Sequence, residues 1–289
     1  HFKNQTIISL RYYDEGSVPY LTFKKIGSAG VRHGFSTRMG GVSEGMFSTL
    51  NLSYNRGDKK EAVDEKFQKN PEAIGFDHTK LVFSNQIHET RIHKVTKEDC
   101  GKVMKDMDGL ATNEQGIPLY TGYADCVPFF FYDPVEKAAA LAHSGWRGTV
   151  GRIGAKMVQF LENEYGSKKE NIIAALDHQS AEVARVSEDV ADKFKKELTG
   201  HDAKEFLDDK GNGKYQLDLW KANEIILTEA GIRPENLDIT DTAHVVILIY
   251  CFRIEQVMGN VVIWQHLLCY KKVNKKNISC EILHTGRIS

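Results

Sequence analysis

Residues 123–154 read YADCVPFFFYDPVEKAAALAHSGWRGTVGRIG, and this stretch decides the architecture. Two almost wholly apolar runs flank Asp133-Pro134-Val135-Glu136, where Asp in first place and Pro in second favour a tight turn. Neither run alternates with polar residues, as expected of strands covered on both faces. Folding the chain about that turn, with Asp133 facing Glu136, puts Cys126 opposite His143. Opposed side chains start about 4.5–5.5 Å apart at Cβ, within reach of one shared metal ion or one S–H···N contact. The hairpin is then a rigid apolar frame holding a thiol beside an imidazole.

Beyond His143, the segment Ser144–Gly148 leads into a helix expected over Thr149–Tyr165, with Val150, Ile153, Met157 and Leu161 three or four apart. Gly166 supplies its stop. Arg147 stands just ahead of that helix, and the unpaired N–H groups of the first turn together with a guanidinium suit a phosphate or carboxylate. A structural ion pair is the alternative for Arg147.

Outward from this core, short strands are expected within residues 6–24, in KLVFSNQIHETRIHKVT (80–96), in GLAT (109–112), in LYTGYADC (119–126), and in VVILIYCF (245–252) and NVVIW (260–264). Helical patterns cover 59–75, with a fresh turn at Pro71, then Ser187–Leu198 and Leu219–Ala230, the last stopped by Gly231 and Pro234. The Gly-, Ser- and Asn-rich stretch 34–58 reads as a long ordered loop. Helices and strands mix without a β-α-β rhythm, so the expected class is α+β, in one domain spanning 1–289.

Composition narrows the function. The chain has 289 residues with 38 Lys+Arg against 39 Asp+Glu, without the basic excess of a nucleic-acid surface. No apolar run reaches the roughly 18 residues of a membrane span. The N-terminus lacks the pattern of a signal peptide. Five scattered cysteines, an odd number with no C-x-x-C, read as reduced thiols of an intracellular, cytoplasmic protein. A third ligand beside Cys126 and His143 is offered by His88 or His93. On a strand their odd separation points them to opposite faces, so only one can join a common site, and spacing alone does not choose.

The pieces F-S-T-R-x-G-G-V-S (Phe35–Ser43), L-N-L (Leu50–Leu52), G-D (Gly57-Asp58), Q-x-H (Gln86–His88), A-D-C-x-P (Ala124–Pro128) and H-x-G-W-R-G (His143–Gly148) occur in order. DLWKAN (Asp218–Asn223) extends them. Over roughly residues 30–235 the chain resembles the YfiH/YlmD family, also catalogued as laccase-domain, polyphenol-oxidase-like or peptidoglycan-editing-factor proteins. The resemblance implies mixed β-sheets flanked by helices, similar to the fold of a Cys/His deamidase domain in cytotoxic necrotizing factor toxins. It implies a zinc ion, or copper, held by His88, Cys126 and His143, and so selects His88 over His93. Three ligands with one open position is the pattern of catalytic zinc.

The same resemblance implies purine nucleoside phosphorylase activity on adenosine or inosine, extending to methylthioadenosine, with adenosine deamination as a second activity. Cys126, His143 and Asp125 then form the catalytic set, and Arg38, Asn51, Gln86 and Arg147 the contacts to nucleoside and phosphate. The alternatives are a metal-free Cys/His hydrolase, a peptidoglycan-precursor editing enzyme and a copper polyphenol oxidase. A multicopper site uses paired H-x-H motifs, and no two of the eleven histidines are two apart. Two segments depart from the family pattern. ALDHQSAEVARV (175–186) replaces a Gly-Pro segment carrying a cysteine, and TDTAHVVILIYCFRIEQ (240–256) replaces a Cys-Thr element and an F-F-S-x-R-R motif.

Overall fold

Strands β9 (Val127–Asp133) and β10 (Ala138–Ser144) form the expected antiparallel hairpin, with every residue of both buried. The register differs from the expected one: Asp133 pairs with Ala138, so His143 lies opposite Pro128 and Ser144 opposite Val127. The turn is longer because Asp133 Oδ1 accepts the N–H groups of Val135 (2.8 Å) and Glu136 (3.3 Å), and Lys137 closes it in left-handed backbone at φ 56°. Extrapolated, the residue opposite Cys126 becomes Gly145. A shift of two positions keeps the same face, so Cys126 and His143 become diagonal neighbours, still within side-chain reach.

The structure is a computed structural model that describes residues 10–123, 126–176, 184–239 and 264–269. The expected strand at 245–252 and Asp125 lie outside the described residues, as do most of the two divergent segments. Two mixed sheets dominate. In the first, the strand order is β1 (Leu10–Tyr13), β2 (Tyr20–Phe23), β3 (Arg32–Ser36), β16 (Trp264–Cys269), β8 (Leu119–Tyr123), β4 (Val82–Ser84) and β6 (Val103–Met104). In the second it is β15 (Leu237–Ile239), β11 (Ile173–Leu176), β9, β10, β7 (Gly109–Thr112) and β5 (Ile92–Lys94). A small third sheet joins β12 (Ala184–Ser187), β14 (Lys214–Leu217) and β13 (Leu207–Asp209).

The unbroken apolar runs now have a physical reason. Phe130, Tyr132, Ala139 and Leu141 face a core shared with Phe23, Phe35 and Leu119 of the first sheet, and with Ile26 of the short helix α1 (Lys24–Ser28). Their neighbours Phe129, Phe131, Ala138, Ala140 and Ala142 pack instead on Ile153, Met157 and Leu161 of α4 (Ile153–Tyr165). A strand with helices on one side and a second sheet on the other has no solvent face to mark with polar residues. The outer face of the first sheet is covered by α2 (Lys60–Ile74), whose Phe67 and Ile74 meet Tyr20, Phe83 and Tyr120.

Helix α2 runs through Pro71 without the fresh turn that the sequence pattern predicts. Both Pro71 and Ile74 are buried in the last turn, so packing offsets the one helical hydrogen bond that Pro cannot donate. The helix expected from Thr149 instead starts earlier and breaks. Helix α3 (Trp146–Val150) ends at Gly151, and Arg152 turns the chain in left-handed backbone (φ 60°) before α4. Arg152 is held there by Glu197 and Glu229, which flank it from α5 (Glu188–Glu197) and α6 (Leu219–Glu229). The predicted stops at Gly166 (φ 74°) and Gly231 (φ 95°) both take the left-handed conformation that Gly adopts cheaply.

Candidate metal centre

The topology sends three strands out at one edge of the first sheet. Strands β3 and β8 are both antiparallel to β16, hence parallel to each other, and β4 is parallel to β8. Register places Phe35 and Thr121 in one row through His266, and Phe83 beside Tyr120. Just past their ends the three strands deliver Arg38, Cys126, and the Gln86–His88 segment. From the second sheet, β10 brings His143 on the face that looks toward the first sheet.

The ligand atoms of His88, Cys126 and His143 lie within 4.8 Å of one another, and this is the one such cluster among the described residues. The rings of His88 and His143 meet edge to face, 4.7 Å between centroids at 87°. His143 is buried, Cys126 half-buried and His88 exposed, so the cluster opens on the side of His88. Two imidazoles and one thiol that can ionise are the donor set of a three-ligand zinc site, which fits the ion implied above. His93 sits elsewhere, on β5, with its Nε2 3.3 Å from Asp99.

His88 is not on a strand, contrary to the sequence pattern. Residues 85–91 form a loop between β4 and β5, and His88 has left-handed backbone at φ 62°. The loop is organised by a carboxylate that sequence reading passed over. Asp108, fully buried, accepts the backbone N–H groups of His88 (2.9 Å), Glu89 (2.9 Å) and Ile87 (3.3 Å). It also accepts a hydrogen bond from His143 Nδ1 at 3.0 Å, which leaves Nε2 as the nitrogen available to a metal. Burial pushes the Asp108 carboxyl up, but the hydrogen bonds from His143 and Glu89 outweigh it and hold the carboxyl below its ordinary value. The only sequence signal for Asp108 is its place directly before the β7 strand.

Tyr123 packs under the site, 5.5 Å from the His143 ring, with its hydroxyl donating to Ala142 O at 2.9 Å. Burial pushes its phenol far above the ordinary range. Gly145, at the start of α3, is needed for close approach. A Cβ there would lie 2.9 Å from Cys126 Sγ and 3.3 Å from a ring carbon of His88.

The other expected residues divide. Gln86 keeps a buried amide nitrogen that has no partner among the described residues. Arg147 is exposed and makes no ion pair among the described residues; its guanidinium stacks on Trp146, 4.5 Å from the ring centroid. Arg38 leaves the end of β3 half-buried, its carbonyl accepting from Leu50 N at 2.9 Å. Asn51 is fully buried and donates to Ser53 O (3.2 Å) and Asp58 (3.3 Å), within a network that ties the 37–58 loop down.

A family model described as multi-copper polyphenol oxidoreductase laccase matches residues 32–264, and the chain belongs to that family, the one that includes YlmD and YfiH. Among its relatives, the purine nucleoside phosphorylase YlmD of Bacillus subtilis is 34% identical over 215 residues, 72% of this chain and 77% of the relative. The purine nucleoside phosphorylase SERP0752 of Staphylococcus epidermidis is 30% identical over 82% of this chain and 91% of its own. The crystal structure of YlmD from Geobacillus stearothermophilus superposes with a TM-score of 0.82 at 26% identity, covering 91% of this chain and 99% of that one. That of YfiH from Bacillus licheniformis gives 0.81 at 28% identity, over 90% and 99%. The expected class of mixed sheets flanked by helices is therefore correct. No helix among the described residues is long and apolar enough to cross a membrane.

Proposed function

We propose that the chain is a metal-dependent purine nucleoside phosphorylase, splitting adenosine or inosine with phosphate, with zinc as the first choice of ion and copper the second. One observation carries this reading: ligand atoms of His88, Cys126 and His143, remote in sequence, converge within 4.8 Å at the end of a buried hairpin. Relatives named purine nucleoside phosphorylase support the choice of reaction. His88, Cys126 and His143 would hold a divalent ion, which would supply Lewis-acid stabilisation of negative charge on a departing base.

In phosphorolysis the C1′–N9 bond breaks, a phosphate oxygen bonds to C1′, and the purine leaves with the electron pair and takes up a proton. The protein's task is to place a dianion and a nucleoside side by side and to meet the developing charge with fixed donors. Arg147, its guanidinium spread on Trp146 two residues from Gly145, suits the phosphate, and Arg38 arrives at the same edge. Gln86 suits the nucleoside, since an unpaired buried amide donor is costly until an acceptor arrives. We assign Asp125 to nucleoside orientation from its place beside Cys126. Asn51 acts on this site through the loop it anchors. Five scattered cysteines, an odd number with no C-x-x-C, support assigning the enzyme to the reducing cytoplasm.

The deciding experiment is product analysis of metal-loaded protein with adenosine and inosine, with and without phosphate. Free base and ribose 1-phosphate that appear only with phosphate are expected. Inosine from adenosine without phosphate would mark deamination, and no turnover under any condition would end the nucleoside reading.

One specific observation favours a second reading. Cys126, His143 and Asp108 are arranged as nucleophile, base and orienting carboxylate of a metal-free thiol hydrolase. His88 has no part in that scheme, which is why the metal reading is preferred. Fast alkylation of Cys126 in protein that binds no zinc would reverse the preference.

A further inference from the structure

We propose that Asp108 is a positioning residue that pre-forms the metal centre, holding His88 and His143 in place before any ion arrives. The inference rests on the metal reading above, and it follows from how many donors one buried carboxylate collects. Its Oδ1 accepts from His143 Nδ1 (3.0 Å) and from the His88 amide (2.9 Å); its Oδ2 accepts from the amides of Glu89 (2.9 Å) and Ile87 (3.3 Å). Its backbone takes part as well, since the Asp108 carbonyl accepts from His143 N at 2.8 Å. Two ligand-bearing segments, a loop and a strand of the second sheet, are thus tied to one residue.

The loop geometry has a cost that Asp108 meets. A non-glycine residue at φ 62° is strained, and His88 is such a residue. Three successive N–H groups curl round the carboxylate, the concavity that a left-handed residue creates for an anion. Without the anion these three converging donors would lose their shared acceptor. On the other side, an ionised carboxylate at Nδ1 selects the His143 tautomer whose Nε2 carries a lone pair. Asp108 therefore fixes the backbone of one ligand and the ring orientation of the other.

The test uses the full chain, with zinc or cobalt(II) alone as the probe. In metal-free wild type, ¹⁵N spectra should show the Nδ1 proton of His143 held in a hydrogen bond to a carboxylate, and the His88 and Glu89 amides should exchange slowly. Asp108→Asn replaces one acceptor with an NH₂ group that faces N–H donors. It should weaken cobalt binding by roughly 10- to 100-fold and speed exchange of those amides, with a cooperative melt retained. Wild-type metal affinity in a folded Asp108→Asn variant overturns the proposal. If that variant does not fold, the wild-type spectra decide: a His143 Nδ1 without a hydrogen-bonded proton or freely exchanging amides at 88 and 89 overturn it equally. Failure of wild type to bind zinc would end the metal reading instead, while the Nδ1 proton and amide exchange still judge Asp108.

Discussion

Two buried carboxylates make an instructive pair. Asp58 faces Lys66, whose ammonium lies 2.7 Å away with its side chain fully buried, and it also accepts from Ser43 (2.9 and 3.0 Å) and Asn51 (3.3 Å). Lys66 in turn donates to Ser43 Oγ (2.7 Å) and Phe47 O (3.3 Å). The charges close on each other, and the cluster fastens the 37–58 loop to α2. Asp108 is buried more deeply, and its partner is an imidazole with a second nitrogen to spare. Each collects four donors, the Lys59 amide (2.9 Å) being the fourth at Asp58. What separates an anchor from a tuned site is whether the partner keeps an atom for chemistry.

The comparison breaks most visibly if the wrong centre loses its ion. Cys126→Ser and His143→Ala should each bring bound zinc, measured by elemental analysis, from one per chain to near zero, with the fold kept by circular dichroism. Lys66→Ala should leave metal content alone. Stoichiometric zinc in His143→Ala would remove the ligand set.

Lys66→Ala should show its effect on stability instead. Removing one partner of a buried ion pair strands the other charge, at a cost of about 3–5 kcal/mol, read from urea or guanidinium midpoints. A loss below about 1 kcal/mol would mean that the pair is not shielded as the structure has it.

Gly145→Ala sharpens the contrast from the other side. Its backbone (φ −77°, ψ 179°) suits Ala, so only the added methyl, aimed at Cys126 Sγ and His88, matters. Metal affinity should fall on the order of tenfold in cobalt titration while the melting temperature changes little; the reverse pattern would show that the site yields more readily than the fold. Arg147→Ala should raise the KM for phosphate by about tenfold with a smaller change in kcat, in keeping with loss of a charged contact. An unchanged phosphate dependence would take Arg147 out of the anion role.

The smallest effect is on acid stability. Burial pushes the Asp58 carboxyl up, yet hydrogen bonds from Lys66, Asn51 and Ser43 outweigh it, so its folded pKa lies below the ordinary 3.8. A carboxyl depressed on folding contributes stability that is fully present above its unfolded pKa and lost as pH falls through the folded one. Urea midpoints should therefore drop on acidification below about pH 4, and this acid-side slope should flatten in Asp58→Asn. An identical slope in the variant would assign the acid sensitivity to other carboxylates.

Much of this was legible in the residues. The hairpin followed from two apolar runs about an Asp-Pro turn, the buried stripe of α4 from spacing at Ile153, Met157 and Leu161, and the helix stops from Gly166 and Gly231. The convergence of His88, Cys126 and His143 was legible only through family motifs. The register was not, because it depended on which N–H groups the Asp133 side chain would accept. The break at Arg152 escaped notice because two glutamates from distant helices hold it. Asp108 escaped because a lone Asp before a strand looks like any turn residue until its donors are seen.

The residue order by itself determined which segments are apolar on both faces, where the chain turns, and which side chains carry ligating atoms, since these depend on neighbours a few positions away. Only the tertiary structure decided that positions 88, 108, 126 and 143 meet. Their meeting depends on strand order and on the way one sheet packs over another, and those are settled by burial summed over the whole core rather than by any local pattern.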